Sequence, residues 1–139
     1  MASKINLAFF KAYLELDKIC AQRLEISKGG VSAYIGRLVE LRFAPERSEV
    51  LPKLIQYRNY RNVIAHEADA LSDLGEITKE DIRWVNSFAR SVAAKRDPVS
   101  RYERKAKRYA IWRKARLVLI ALGVVAIAVA AIVIVNLIK

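Results

Sequence analysis

The chain has 139 residues, 54% of them hydrophobic, with a formal net charge of +11, one cysteine and one histidine. That length holds one small domain and an accessory segment. The lone Cys20 excludes an internal disulfide and fits a reducing compartment, and one histidine with one cysteine leaves no material for a zinc cluster, so no metal or other cofactor is expected.

Residues 4–27 read as one helix, because Ile5, Phe9, Ala12, Leu16, Ile19, Cys20 and Leu24 recur at helical spacing. Ser3 is the expected N-cap and Lys28-Gly29-Gly30 the expected stop. As a phosphate-cradling loop, Lys28-Gly29-Gly30 is too short and follows a helix rather than a strand. A second helix is expected over 31–43, ending before Pro45. A third spans 48–67, with Glu49 and Pro52 near its start, and a loop follows over 69–76. Thr78-Lys79-Glu80-Asp81 has the form of a capping box and opens a fourth helix, with Ile82, Val85, Phe88, Ala89 and Val92 inward. No alternating run argues for a strand. The pattern predicts an all-α, up-and-down bundle of four helices over residues 1–96.

The third helix carries the conspicuous stretch, Tyr57-Arg58-Asn59-Tyr60-Arg61-Asn62-Val63-Ile64-Ala65-His66-Glu67. At about 100° per residue, Arg61, Arg58, Asn62, His66 and Asn59 fall on one face and Tyr57, Ile64, Tyr60 and Val63 on the other. RNA can be cleaved without a metal when its own 2′-hydroxyl attacks the adjacent phosphate. Such a reaction needs a group titrating near neutrality, which His66 supplies, and a fixed cation for the developing charge, which Arg61 supplies. One histidine per chain is thin for both acid and base, so two chains sharing one cleft are expected. Tyr34, Tyr57 and Tyr60 could stack bases, but core packing is the favoured reading.

The run Arg61-Asn62-Val63-Ile64-Ala65-His66 resembles the signature of HEPN-domain proteins, an arginine with a polar residue after it and a histidine a few positions on. The resemblance covers residues 1–96. It implies a helical bundle that dimerises through the motif helices, with a metal-independent ribonuclease activity of the kind used in toxin–antitoxin, abortive-infection and other phage-defence systems. It assigns catalysis to Arg61 and His66 and a supporting role to Asn62. Arg58 and Asn59 enter as substrate-binding candidates. The implied partners are RNA, a second copy of the chain, and an antitoxin or sensor protein encoded nearby. Two alternatives stay open. One is a non-catalytic binding or assembly module; the other is an effector whose apolar tail perturbs the bilayer.

Asp97-Pro98 reads as the break after the bundle, and Ser100-Arg101-Tyr102-Glu103 as a second capping box opening a long helix near Arg101. Residues 97–116 hold 8 Lys and Arg against 2 Asp and Glu, so this short collar carries +6 of the total charge. Residues 117–138 are uncharged, with Asn136 the only strongly polar side chain. Twenty-two residues at about 1.5 Å each are enough for a hydrocarbon layer of about 30 Å, so a transmembrane helix is favoured over a buried core helix. Tyr109 and Trp112 stand where interfacial aromatics belong. The collar places the N-terminal domain in the cytoplasm, tail-anchored; the resemblance implies the cytoplasmic membrane of a bacterial or archaeal cell. Its cations suit anionic lipid headgroups, with RNA phosphates as the rival ligand.

Overall fold

A computed structural model describes residues 4–66 and 77–138, and of His66 the backbone only. The described residues are all helical or in turns and caps, with no strand among them. Five helices follow in order: α1 Lys4–Leu24, α2 Gly30–Glu40, α3 Arg47–His66, α4 Lys79–Ala93 and α5 Pro98–Ile138. Ser3 and the expected 69–76 loop lie outside the described residues.

Helix α1 is the hub. Its inward stripe, Phe9, Ala12, Tyr13, Leu16, Cys20 and Ala21, is buried and packs against α2, α4 and α3. Phe9 stands at the centre of an aromatic cluster. Its ring lies 5.5 Å edge-on from Tyr57 and 6.1 Å from Tyr60, while Tyr57 meets Trp84 at 5.3 Å and Trp84 stacks on Phe88 at 5.0 Å. Each such fully buried ring or aliphatic side chain contributes about 1.5–3 kcal/mol. Tyr34, Tyr57 and Tyr60 are therefore core residues, as their spacing favoured.

Several boundaries differ from the expected ones, for local reasons. The first helix ends at Leu24 and not at residue 27. Glu25 takes a left-handed φ of 57°, Ile26 N–H reaches back to Ala21 C=O (3.0 Å), and Glu25 N–H to Gln22 C=O (3.3 Å). This is a Schellman cap with glutamate in the position glycine usually fills. The glycines after it do other work. Gly29 (φ 72°) precedes α2, and Gly30 lets α2 sit on α1, since a Cβ there would lie 2.0 Å from Asp17 O and 2.3 Å from Ala21 N. The second helix stops at Glu40, three residues short of 43. There Arg47 Nε donates to Leu38 C=O (2.8 Å), satisfying a terminal carbonyl from the start of α3. The fourth helix opens as its sequence predicts. Asp81 N–H donates to Thr78 Oγ1 (3.2 Å), and Thr78 N–H donates back to Asp81 Oδ2 (2.8 Å).

Asp97-Pro98 is a junction and not a break. Pro98 is the first residue of α5, where its missing N–H costs nothing, and fully buried Asp97 caps it through Ser100 N–H (3.1 Å). The same Asp97 oxygen accepts from Tyr34 Oη at 2.5 Å, and Arg23 donates to Ser100 Oγ from two nitrogens at 3.2 and 3.3 Å. Ser100 is thus buried in this network and does not cap a helix starting at Arg101. Arg101 in turn pairs with Glu46. The chain divides into two compact units, Met1–Tyr102 and Glu103–Lys139, so the first runs six residues past the boundary expected at 96.

The second unit is the rest of α5. Its large apolar side chains, from Ile111 and Trp112 through Leu117 to Ile138, are exposed. Among the described residues this is the one helix long and apolar enough to cross a membrane, and none of its apolar window is buried.

Candidate functional site

Helix α3 presents its two faces as the 100° rotation requires. Tyr57 and Tyr60 are buried, Val63 and Ile64 half-buried, Arg58 and Arg61 half-buried at the edge, and Asn59 and Asn62 exposed. Arg58, Arg61 and Asn62 line one cleft of about 360 Å³ together with Tyr13, Leu14 and Asp17 of α1, Lys28 and Gly29 of the connection, and Ser32 in the first turn of α2. Asn59, on the far edge of the polar face, does not line it. The side chain of His66 lies outside the described residues; its backbone ends α3.

The electrostatics follow from these placements. Lys28, Arg58 and Arg61 bring three positive charges to the cleft and Asp17 one negative. Asp17 is partly engaged, because its Oδ1 accepts from Val31 N–H at 2.8 Å. That bond satisfies a donor at the start of α2, whose N-cap Gly29 has no side chain to do so. Burial, and after it the Asp17 carboxylate, push the Tyr13 phenol above its ordinary value, against the opposing pull of Arg61 and Arg58. Tyr13 therefore remains a neutral hydroxyl at any physiological pH. Arg61 Nη1 donates to Asn62 Oδ1 at 3.2 Å, so the asparagine helps to aim the guanidinium. Among the described residues no group of three His, Cys, Asp or Glu side chains gathers as metal ligands would.

The sequence reading missed Tyr13, Asp17, Lys28 and Ser32. Tyr13 and Asp17 come from α1, Lys28 from the α1–α2 connection and Ser32 from α2, so it is the packing of α1 and α2 on α3 that brings them to the arginines. The usable signal was the Lys28-Gly29-Gly30 run, dismissed as a loop that follows a helix; that helix and the next form two sides of the cleft.

A family model described as a family of unknown function (DUF6548) matches residues 7–118. The chain belongs to that family. No curated protein and no solved structure matches the chain. The matched residues take in the bundle from Leu7 on, every residue lining the cleft, the whole basic collar and the first two residues of the apolar run. Most of the apolar run lies beyond the match.

Proposed function

We propose that the protein is a HEPN-like, membrane-tethered endoribonuclease that cleaves cytoplasmic RNA without a metal ion, at a site completed by two copies of the chain. The observation that carries this reading is the cleft, where Arg58, Arg61 and Asn62 of one helix open into a single cationic cavity. His66 stands four residues after Asn62 on the same helix.

In the reaction, the ribose 2′-oxygen bonds to the adjacent phosphorus as the bond from phosphorus to the 5′-oxygen breaks. The 2′-hydroxyl proton passes to one His66, and the leaving 5′-oxygen takes a proton from the His66 of the second chain. Arg61, held by Asn62, balances the charge that builds on the phosphoryl oxygens. The products are a 2′,3′-cyclic phosphate and a 5′-hydroxyl. A role in phage defence or toxicity, with an antitoxin or sensor as restraint, rests on the resemblance of Arg61 to His66 alone.

The test uses the full chain in neutral-lipid nanodiscs with EDTA and a single-stranded RNA. Cleavage to cyclic-phosphate ends is expected in discs holding two chains and not in discs holding one. Arg61→Ala or His66→Ala is expected to lower the rate by about 10²–10⁴-fold. Activity that survives His66→Ala overturns the catalytic assignment. An inactive wild type whose Arg61→Ala variant merely loses a co-purifying protein replaces the enzyme with a binding module.

A further inference from the structure

The two arginines on α3 account for only one side of the cleft. We infer that Lys28 and Ser32, together with Arg58, hold a second RNA phosphate beside the one at Arg61, so that a single strand crosses from α3 to the start of α2. This inference rests on the ribonuclease reading for its ligand but on different residues.

Five observations support it. The cleft carries three cations against one carboxylate, and that carboxylate already accepts a backbone N–H. The cations belong to separate elements, Lys28 to the α1–α2 connection and Arg58 and Arg61 to α3, a spread that suits a strand better than one small ion. The volume of about 360 Å³ falls within the range of sites that take a nucleotide-sized group. Leu14 is 44% exposed at the rim and offers an apolar surface to a ribose or base. Tyr13 lines the same cleft, and its phenol is a neutral hydroxyl compatible with a phosphodiester. Membrane lipid is the less suitable ligand here, because the cleft belongs to the bundle whereas the basic collar directly precedes the apolar run.

The experiment measures binding of a fluorescein-labelled single-stranded RNA 12-mer by anisotropy, with the full chain in neutral-lipid nanodiscs, over a salt series. Lys28 and Ser32 are exposed, so Lys28→Ala, Lys28→Glu and Ser32→Ala leave the core intact. For Lys28→Ala the Kd is expected to rise about three- to ten-fold, and the slope of log K against log salt to shrink by about 0.7, the loss of one phosphate contact to a single strand. Lys28→Glu is expected to bind more weakly still. Lys18→Ala, exposed on α1 and outside the cleft, is the control. Wild-type affinity and slope in both Lys28 variants overturn the inference, and would mean that RNA reaches only the collar or Arg61. Cleavage measured in parallel separates the two claims. An inactive protein whose RNA affinity falls with Lys28→Ala loses the nuclease reading and keeps this site; an active one indifferent to Lys28 does the reverse.

Discussion

Glu25 and Lys95 hold left-handed backbone angles, φ 57° and 55°, at the ends of α1 and α4. After α4, Arg96 N–H reaches Ser91 C=O (2.8 Å) and Lys95 N–H reaches Val92 C=O (3.0 Å), the same paired closure that ends α1. A residue with a Cβ pays about 1–2 kcal/mol for that conformation, part of which glycine gives back through its freer unfolded chain. Glu25→Gly and Lys95→Gly are therefore each expected to stabilise the bundle by up to about 1 kcal/mol. The measurement can use Cys20. It is fully buried, and burial pushes its thiol up to about 12, so it reacts with a disulfide reagent only when the bundle opens. Slower labelling in either variant is the expected result, and faster labelling would contradict the cap assignment. These caps also show why helix ends were poorly legible. Glycine announces a left-handed stop and glutamate does not, so the sequence pointed to Lys28-Gly29-Gly30 and overran the true end at Leu24.

At the scale of elements, the capping box of α4 was legible because its partners are three residues apart. What the spacing did not show is that Asp81 also accepts from Tyr57 Oη of α3 at 2.8 Å, tying the two helices together. Burial alone would push Asp81 up, but the hydrogen bonds from Thr78 N–H, Thr78 Oγ1 and Tyr57, with the charge of Lys53, outweigh it and hold the carboxyl below its ordinary value of 3.8. A carboxyl with a lowered folded pKa contributes stability that is complete above 3.8 and is lost as pH falls through the folded value. Asp81→Asn is accordingly expected to lower stability near neutrality and to flatten the acid limb of a denaturation series below pH 3.8, with the two proteins converging at the acid end. A parallel acid limb would sink this account. The polar face of α3 was readable for the same reason as the box, since one helix fixes the angles among Arg58, Arg61 and Asn62. The opposite wall of the cleft was not, because Asp17, Lys28 and Ser32 come from other parts of the chain and reach it only through the packing of α1 and α2 on α3. The junction at Asp97 was hidden likewise: a lone Asp-Pro reads as a break until Tyr34 and Ser100 are seen to bury it.

For the whole molecule, the question is whether the apolar run or the basic collar holds the protein to a membrane. Residues 117–138 contain fifteen Leu, Ile and Val side chains. At about 0.3–0.6 kcal/mol each these favour insertion by roughly 5–9 kcal/mol, whereas an arginine at mid-span costs about 2.5–3.5 kcal/mol. One arginine should leave the helix inserted and two should nearly cancel its preference. Val129→Arg is expected to float with liposomes after an alkaline wash, and Val125→Arg with Val129→Arg to stay at the bottom of the gradient. The collar gives a different signature: its attraction to anionic headgroups is about 1 kcal/mol per cation near the surface and is screened by salt. Wild-type protein should therefore float equally well at low and high salt if the span is inserted. A double variant that still floats, and comes off in high salt, would assign the attachment to the collar and leave the apolar helix free to pack against other helices.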